Sequence, residues 1–162
     1  MIYGNEVNIF VRLLVICLLA GLLGWERESA GKAAGLRTHI LVGIATVLFV
    51  VIGEDMARGF RAYGDHVRFD AANLLGAIVT GISFLGAGMI IFKRRHGDVK
   101  GLTTAAGILT TAAIGVLVGM EKYLVAVGST VIVFVVLRFL NYFEPKNRMR
   151  RAGDRIEKKA EN

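Results

Sequence analysis

The sequence predicts an all-α polytopic membrane protein of about five transmembrane helices, with its N-terminus outside and its C-terminus inside. Three observations carry this reading. Of 162 residues, 54% are hydrophobic and the mean hydropathy is +0.56, values that a soluble chain of one-domain length rarely reaches. The apolar residues fall in long uninterrupted blocks, and the single proline, Pro145, lies beyond the last of them. The basic residues are divided very unevenly between the two sets of loops.

Five blocks match the roughly 20 residues that a bilayer-crossing helix needs: Asn8–Gly24, Leu36–Gly53, Leu74–Phe92, Gly101–Val118 and Tyr123–Phe143. They form a membrane domain over residues 1–143, followed by a basic cytoplasmic tail, 144–162. Hydrocarbon leaves no solvent for unpaired N–H and C=O groups, so a span is a helix or part of a closed barrel. The blocks lack the in–out alternation of barrel strands, which leaves helices.

The first span holds the single cysteine, Cys17, so neither an intrachain disulfide nor a multi-cysteine metal cluster can form. No small-residue cleavage site follows it, and further spans do, so it reads as a retained helix and not a cleaved signal. Arg12 sits near its outer end, where snorkelling to the interface is the expected fate, with a partner helix as the other. Between the first and second spans runs GWERESAGKAAGLRTH, Gly24 to His39, a dense knot of charge. The third span, GAIVTGISFLGAGMIIF, and the fourth, GLTTAAGILTTAAIGVLVG, are rich in small residues. Such residues let helices approach closely where lipid removes the hydrophobic incentive to associate. Gly76, Thr80 and Ser83 make one small stripe on the third span, and Ala77, Gly81 and Gly88 another; Gly107, Thr111, Gly115 and Gly119 recur at four-residue spacing on the fourth. Close packing is the first reading of these stripes. A lining segment is the second, for Gly81, Gly86 and Gly88 above all, since glycine weakens a helix interior. The fifth span ends near Arg138, expected to snorkel.

Loop charge sets the orientation. Fifteen lysines and arginines lie in the first loop, the third loop and the segment from Arg138 onward, against four (Arg58, Arg61, Arg68 and Lys122) on the other side. The basic side faces the cytoplasm. The net charge of +7 therefore speaks for a membrane surface and not for nucleic acid.

No Asp or Glu lies within the predicted second to fifth spans. Magnesium takes oxygen ligands and is held by one or two carboxylates, so a self-sufficient ion path is thinly supported. Thr80, Ser83, Thr103, Thr104, Thr110 and Thr111 supply only hydroxyls. His39, His66 and His96 fall on different segments, Ser29 has no obvious base, and GKAAGLRT lacks the order and strand context of a phosphate loop. No catalytic group, cofactor site or metal site is expected, and the chain does not read as an enzyme. Two readings of the knot stay open: a solvated turn, or a polar site folded back between helices. In the second, Arg37 is held by Glu26 or Glu28 beside Thr103 and Thr104, each charge offsetting part of the other's desolvation.

GLLGWERESAGKAAGLRTHILVG, IVTGISFLGAGMI and GLTTAAGILTTAAIGVLVG resemble, in order, three signature segments of the MgtC/SapB membrane-protein family. The likeness covers about residues 10–120. It marks Glu26, Arg27, Glu28, Gly31, Gly35, Arg37, Thr38 and His39 in the first segment. In the second it marks Gly81, Phe84, Leu85, Gly86, Ala87 and Gly88, and in the third Gly101, Leu102, Thr103, Thr104, Ala105 and Ala106. Ser83 stands where the family usually has glycine, and Leu109 where a tryptophan is common. The resemblance implies a multi-pass protein of the bacterial inner membrane, in the short form that lacks the soluble C-terminal domain of the long virulence-associated members. It implies a regulatory or homeostatic role in magnesium limitation, acid stress or membrane energetics, with the F-type ATP synthase as a membrane partner and homo-oligomers as a further expectation. A magnesium or other cation transporter, and a structural subunit binding a membrane protein, are the alternatives. Four motif ends fall on the cytoplasmic face, so a shared polar site is expected there, formed by Glu26, Arg27, Glu28, Arg37, Thr38, His39, Thr103 and Thr104. Thr80, Gly81, Ser83, Gly86, Gly88, Gly101 and Gly115 are expected to pack or line helices.

Overall fold

The computed structural model describes residues 3–61, 70–92 and 101–143. These form five α-helices: α1 Tyr3–Ser29, α2 Leu36–Arg61, α3 Ala71–Phe92, α4 Leu102–Gly119 and α5 Tyr123–Phe143, with no strand among the described residues. The all-α polytopic architecture is as expected. Four helices are long and apolar enough to cross a membrane, and α5 adds a shorter apolar stretch, Tyr123–Phe139. His66, His96, the basic loop 93–100 and the tail 144–162 lie outside the described residues.

Two helices outrun their expected bounds, with consequences for the charges. At 1.5 Å per residue the 27 residues of α1 extend about 40 Å, more than the roughly 30 Å of hydrocarbon. Its last turn therefore contains Glu26, Arg27 and Glu28, so the front half of the knot is helix, with Arg27 complementing the C-terminal dipole. Helix α2 continues eight residues past Gly53 and carries Glu54, which falls inside the apolar stretch Leu36–Gly59. The expectation that spans two to five hold no carboxylate is thereby corrected: helix propensity and partner groups carry α2 past the last apolar run.

The α1–α2 turn is a Schellman closure. The Lys32 N–H donates to Arg27 O (3.0 Å) and the Gly31 N–H to Glu28 O (2.9 Å), with Gly31 at φ +66°. The same double closure ends α4, through Lys122 to Leu117 (2.8 Å) and Glu121 to Val118 (3.0 Å). There a non-glycine residue, Glu121, holds the left-handed position at φ 59°. Helix α3 is capped by the Asp70 carboxylate, which accepts from the Ala72 and Asn73 N–H groups at 2.9 and 3.1 Å.

Helices α1, α2 and α4 pack on one another at the centre; α5 lies against α1 and α4, and α3 against α4. Half of the apolar stretch of α4 is buried but only 11% of that of α3, which places α3 at the periphery. The glycine stripe of α4 does what its spacing predicts. A Cβ on Gly115 would meet Thr46 Cβ at 2.9 Å and Gly43 O at 3.1 Å, and one on Gly119 would meet Val50 Cβ at 2.7 Å. The stripe is the seat of α2. On α3 the packing expectation fails except at Gly86, whose Cβ would meet Ala105 at 3.2 Å; Gly76, Gly81 and Gly88 face open space, and Thr80 and Ser83 are exposed.

Orientation has a direct check. With Cys17 replaced by serine, a cysteine at Arg94 is expected to be labelled by an impermeant maleimide only from the cytoplasmic side, and one at Gly64 only from outside. The reverse pattern would invert the topology.

Candidate functional site

Helix α1 reaches α2 through Gly24, where even a Cβ would lie 2.7 Å from Leu36 Cα and 3.1 Å from Gly35 O. That close approach holds the end of α1 against the start of α2, where two of the following residues turn inward. Glu26, Arg27 and His39 are 4%, 1% and 0% exposed, making a charged cluster inside an apolar bundle. Arg27 Nε donates to Glu26 Oε2 at 2.9 Å. This pairing offsets the desolvation of both charges, which alone would cost several kcal/mol per ion.

His39 lies one turn into α2. Its Nδ1 is 3.0 Å from Gly35 O, and a carbonyl can only accept, so the proton sits on Nδ1. The other nitrogen, Nε2, is buried without a hydrogen-bond partner, as is Arg27 Nη1. The Nε2 atom faces α4 at Gly107, 3.7 Å from where a Cβ would stand. Thr104, buried and three residues before Gly107, shares that face of α4. Glu26 and Arg27 are the charged groups that act on the His39 ring. A buried polar atom left unpaired costs about 1–3 kcal/mol, so these two atoms mark hydrogen-bonding capacity that the fold itself does not use.

The structure divides the eight expected site residues. Glu26, Arg27, His39 and Thr104 are buried, Thr38 is half-buried, and Glu28, Arg37 and Thr103 are exposed. The expected grip on Arg37 is corrected: Arg37 pairs with neither Glu26 nor Glu28. Glu26 engages Arg27, and Glu28 Oε2 accepts the Leu36 N–H at 2.8 Å, capping α2. The cap also explains Gly35, since a Cβ there would meet Glu28 Oε2 at 2.7 Å. Gly101 starts α4 at φ +107°, a conformation that suits glycine.

A second polar cluster escaped the sequence reading. Arg12 is 4% exposed and does not snorkel, which corrects the first expectation for it. Its Nη1 donates to Glu54 Oε2 at 3.0 Å and to Gly119 O at 2.6 Å, and its Nη2 to Glu121 Oε1. Asn8 Nδ2 also donates to Glu121 Oε1, at 2.7 Å. One guanidinium thus ties α1 to α2 and to the α4–α5 turn. The signal was available: Glu54 and Glu121 stand just beyond two apolar blocks, at the membrane end where Arg12 lies. Since Glu54 and Glu121 are 33% and 45% exposed, water takes over part of their solvation when the arginine is lost. Arg12→Ala is therefore expected to cost about 2 kcal/mol, between the 0–1 of exposed pairs and the 3–5 of buried ones. Arg12→Lys should recover little, because an ammonium cannot reach both carboxylates as the fork does. Arg58→Ala, 57% exposed, should change stability by no more than about 0.5 kcal/mol in detergent unfolding.

Membrane-length helices, a glycine-sealed bundle and two arginine–carboxylate clusters near its ends define a polytopic α-helical membrane protein. The chain belongs to the MgtC family, whose family model matches residues 13–146. It is 38% identical over 127 residues to YhiD of Escherichia coli (strain K12), whose given name proposes a magnesium transporter; the match covers 78% of this chain and 58% of that one. To protein MgtC of Brucella abortus (strain 2308) it is 40% identical over 119 residues, 74% of this chain and 45% of the relative. To protein SapB of Bacillus subtilis (strain 168) it is 30% identical over 155 residues, 95% and 64% of the two chains. The chain thus spans less than two thirds of the length of these relatives. No solved structure matches it.

Proposed function

We propose that the chain acts as a regulatory or homeostatic protein of the bacterial inner membrane under magnesium limitation, acid stress or altered membrane energetics, and that it is neither an enzyme nor an autonomous ion carrier. One observation carries the reading: the carboxylates of both polar clusters, buried or partly exposed, are paired with a guanidinium. Glu26 is bound by Arg27, while Glu54 and Glu121 are bound by Arg12. A divalent cation drawn to these carboxylates would have to compete with an arginine at each place. The hydroxyls of Thr46, Thr80, Thr110 and Thr111 each donate to the carbonyl four residues back, which ties them to their own helix.

On this reading the buried knot of Glu26, Arg27 and His39 is the functional centre. The partner is a membrane protein, for which the family resemblance offers the F-type ATP synthase, and self-association is a further part of the proposal. The second reading, magnesium transport, draws on the name carried by YhiD.

The two separate experimentally. Purified chain in liposomes holding a magnesium-sensitive dye is expected to show no flux above empty liposomes, while a native-membrane pull-down should enrich a large membrane enzyme in an Arg27-dependent way. Flux that saturates with magnesium and disappears in Glu54→Gln, with no enriched partner, would establish transport and overturn the regulatory reading.

A further inference from the structure

A cleft of about 570 Å³ opens where α1 ends beside α5, lined by Glu26, Ser29 and Ala30 on one side and Phe134, Val135, Arg138 and Phe139 on the other. That volume lies within the range of small-ligand sites. Spacings of three and four residues place Phe134, Val135, Arg138 and Phe139 on one face of α5, while Glu26 and Ser29 at the end of α1, with Ala30 in the turn that follows, form the opposite wall. We propose that this cleft binds a membrane phospholipid, its phosphodiester held by Arg138 and Ser29 and an acyl chain lying along Phe134 and Phe139.

The charges favour this occupant. Glu26 is bound by Arg27 and is 4% exposed. Arg138 is exposed and makes no ion pair with a described carboxylate. Among the described residues the cleft therefore presents one cation without a carboxylate partner, with the Ser29 hydroxyl on the opposite wall to donate to the same anion. A guanidinium fork matches phosphate oxygens in pairs.

The walls separate a lipid from a soluble anion. Val135 and Phe139 are 54% and 61% exposed, and beyond them the same helix shows Val131 and Ile132 at 53% and 66%. The apolar lining thus runs without a break into a face that lipid tails cover. A free phosphate would use only the polar end of such a cleft, whereas a phospholipid fills both. The depth agrees, because a cation at the end of an apolar helix snorkels to where phosphates lie. The proposal does not depend on the regulatory reading, since the binding is read without any physiological assay.

The test is native mass spectrometry of the full chain released from detergent and titrated with phosphatidylglycerol. Phosphatidylglycerol is expected to leave a discrete one-lipid adduct, weakened about tenfold by Arg138→Gln, the loss that one charge-assisted hydrogen bond brings. Lys122→Gln, an exposed cation in the far turn, should bind as the parent does. Diacylglycerol with the same chains should bind at least tenfold more weakly than phosphatidylglycerol. If it binds equally, the headgroup is not recognised. If glycerol 3-phosphate alone binds as tightly as the lipid, the cleft is a soluble-anion site. Equal binding by the Arg138→Gln and Lys122→Gln variants would mean nonspecific annular lipid. Any of these overturns the proposal. In a second arm, benzoylphenylalanine at Val135 is photolysed in native membranes. A mass increase of one phospholipid supports the assignment, and a crosslink to a second copy or to the chain's own residues 144–162 overturns it.

Discussion

Replacing Arg27 with alanine is expected to destabilise the protein by about 3 kcal/mol, the low end of the cost of breaking a buried ion pair. Arg27 is 1% exposed and its Nε binds a Glu26 carboxylate that is itself 4% exposed, so removing one leaves the other largely uncompensated. The lower end applies because Glu26 makes a further interaction besides this pair. Arg27→Lys should recover only a fraction, since an ammonium lacks the Nε donor and the fixed plane of the guanidinium. Arg37→Ala, ten residues on and exposed, should stay within about 0.5 kcal/mol. The measurement is SDS-titrated unfolding in mixed micelles, followed through the fluorescence of Trp25, the single tryptophan and a neighbour of the knot. Should the Arg27 and Arg37 variants unfold alike, the knot carries no buried pair.

Gly24→Ala is expected to cost about 3 kcal/mol, at the upper end of the penalty for overpacking. The added Cβ would come within 2.7 Å of Leu36 Cα and 3.0 Å of His39 Cβ, and backbone cannot rotate aside as a side-chain tip can. The gain in helix propensity, at most about 1 kcal/mol, does not offset this. Relief requires α1 and α2 to separate, which would uncover the knot directly beneath. Gly81→Ala and Gly88→Ala meet nothing within 4 Å and should be neutral or slightly stabilising by the same propensity. The same unfolding assay reads all three. A Gly24→Ala protein as stable as Gly81→Ala would show that the α1–α2 approach is looser than drawn.

Local pattern made most of the architecture legible. Apolar block length located five helices, because hydrocarbon admits no other way to pair the backbone of such segments. Four-residue spacing of small residues on α4 foretold a close-packed face, since that spacing lines one side of a helix; at Gly115 and Gly119 a Cβ would clash with α2. The positive φ of Gly31 and Gly101, by contrast, was visible only in the structure.

What the sequence could not reveal is who partners whom among the charges. Glu26, Arg27, Glu28 and Arg37 look equivalent on a line of text, and their density at a helix junction was enough to single out the knot. Helix phase then separates them. Consecutive residues on α1 turn by about 100°. Glu26 and Arg27 consequently face the bundle, while Glu28 faces out to cap Leu36. Likewise the identical-looking glycines of α3 and α4 diverge because α4 sits at the centre and α3 at the rim. Arg12, Glu54 and Glu121 are 42 to 109 residues apart in the chain, and no spacing rule links them. Composition and periodicity determine helices, spans and close-packing faces, because those depend on the few residues around each position. Only the packing of α1 against α2 and the α4–α5 turn decides that one buried arginine meets two distant carboxylates, because charge pairing depends on where whole helices lie.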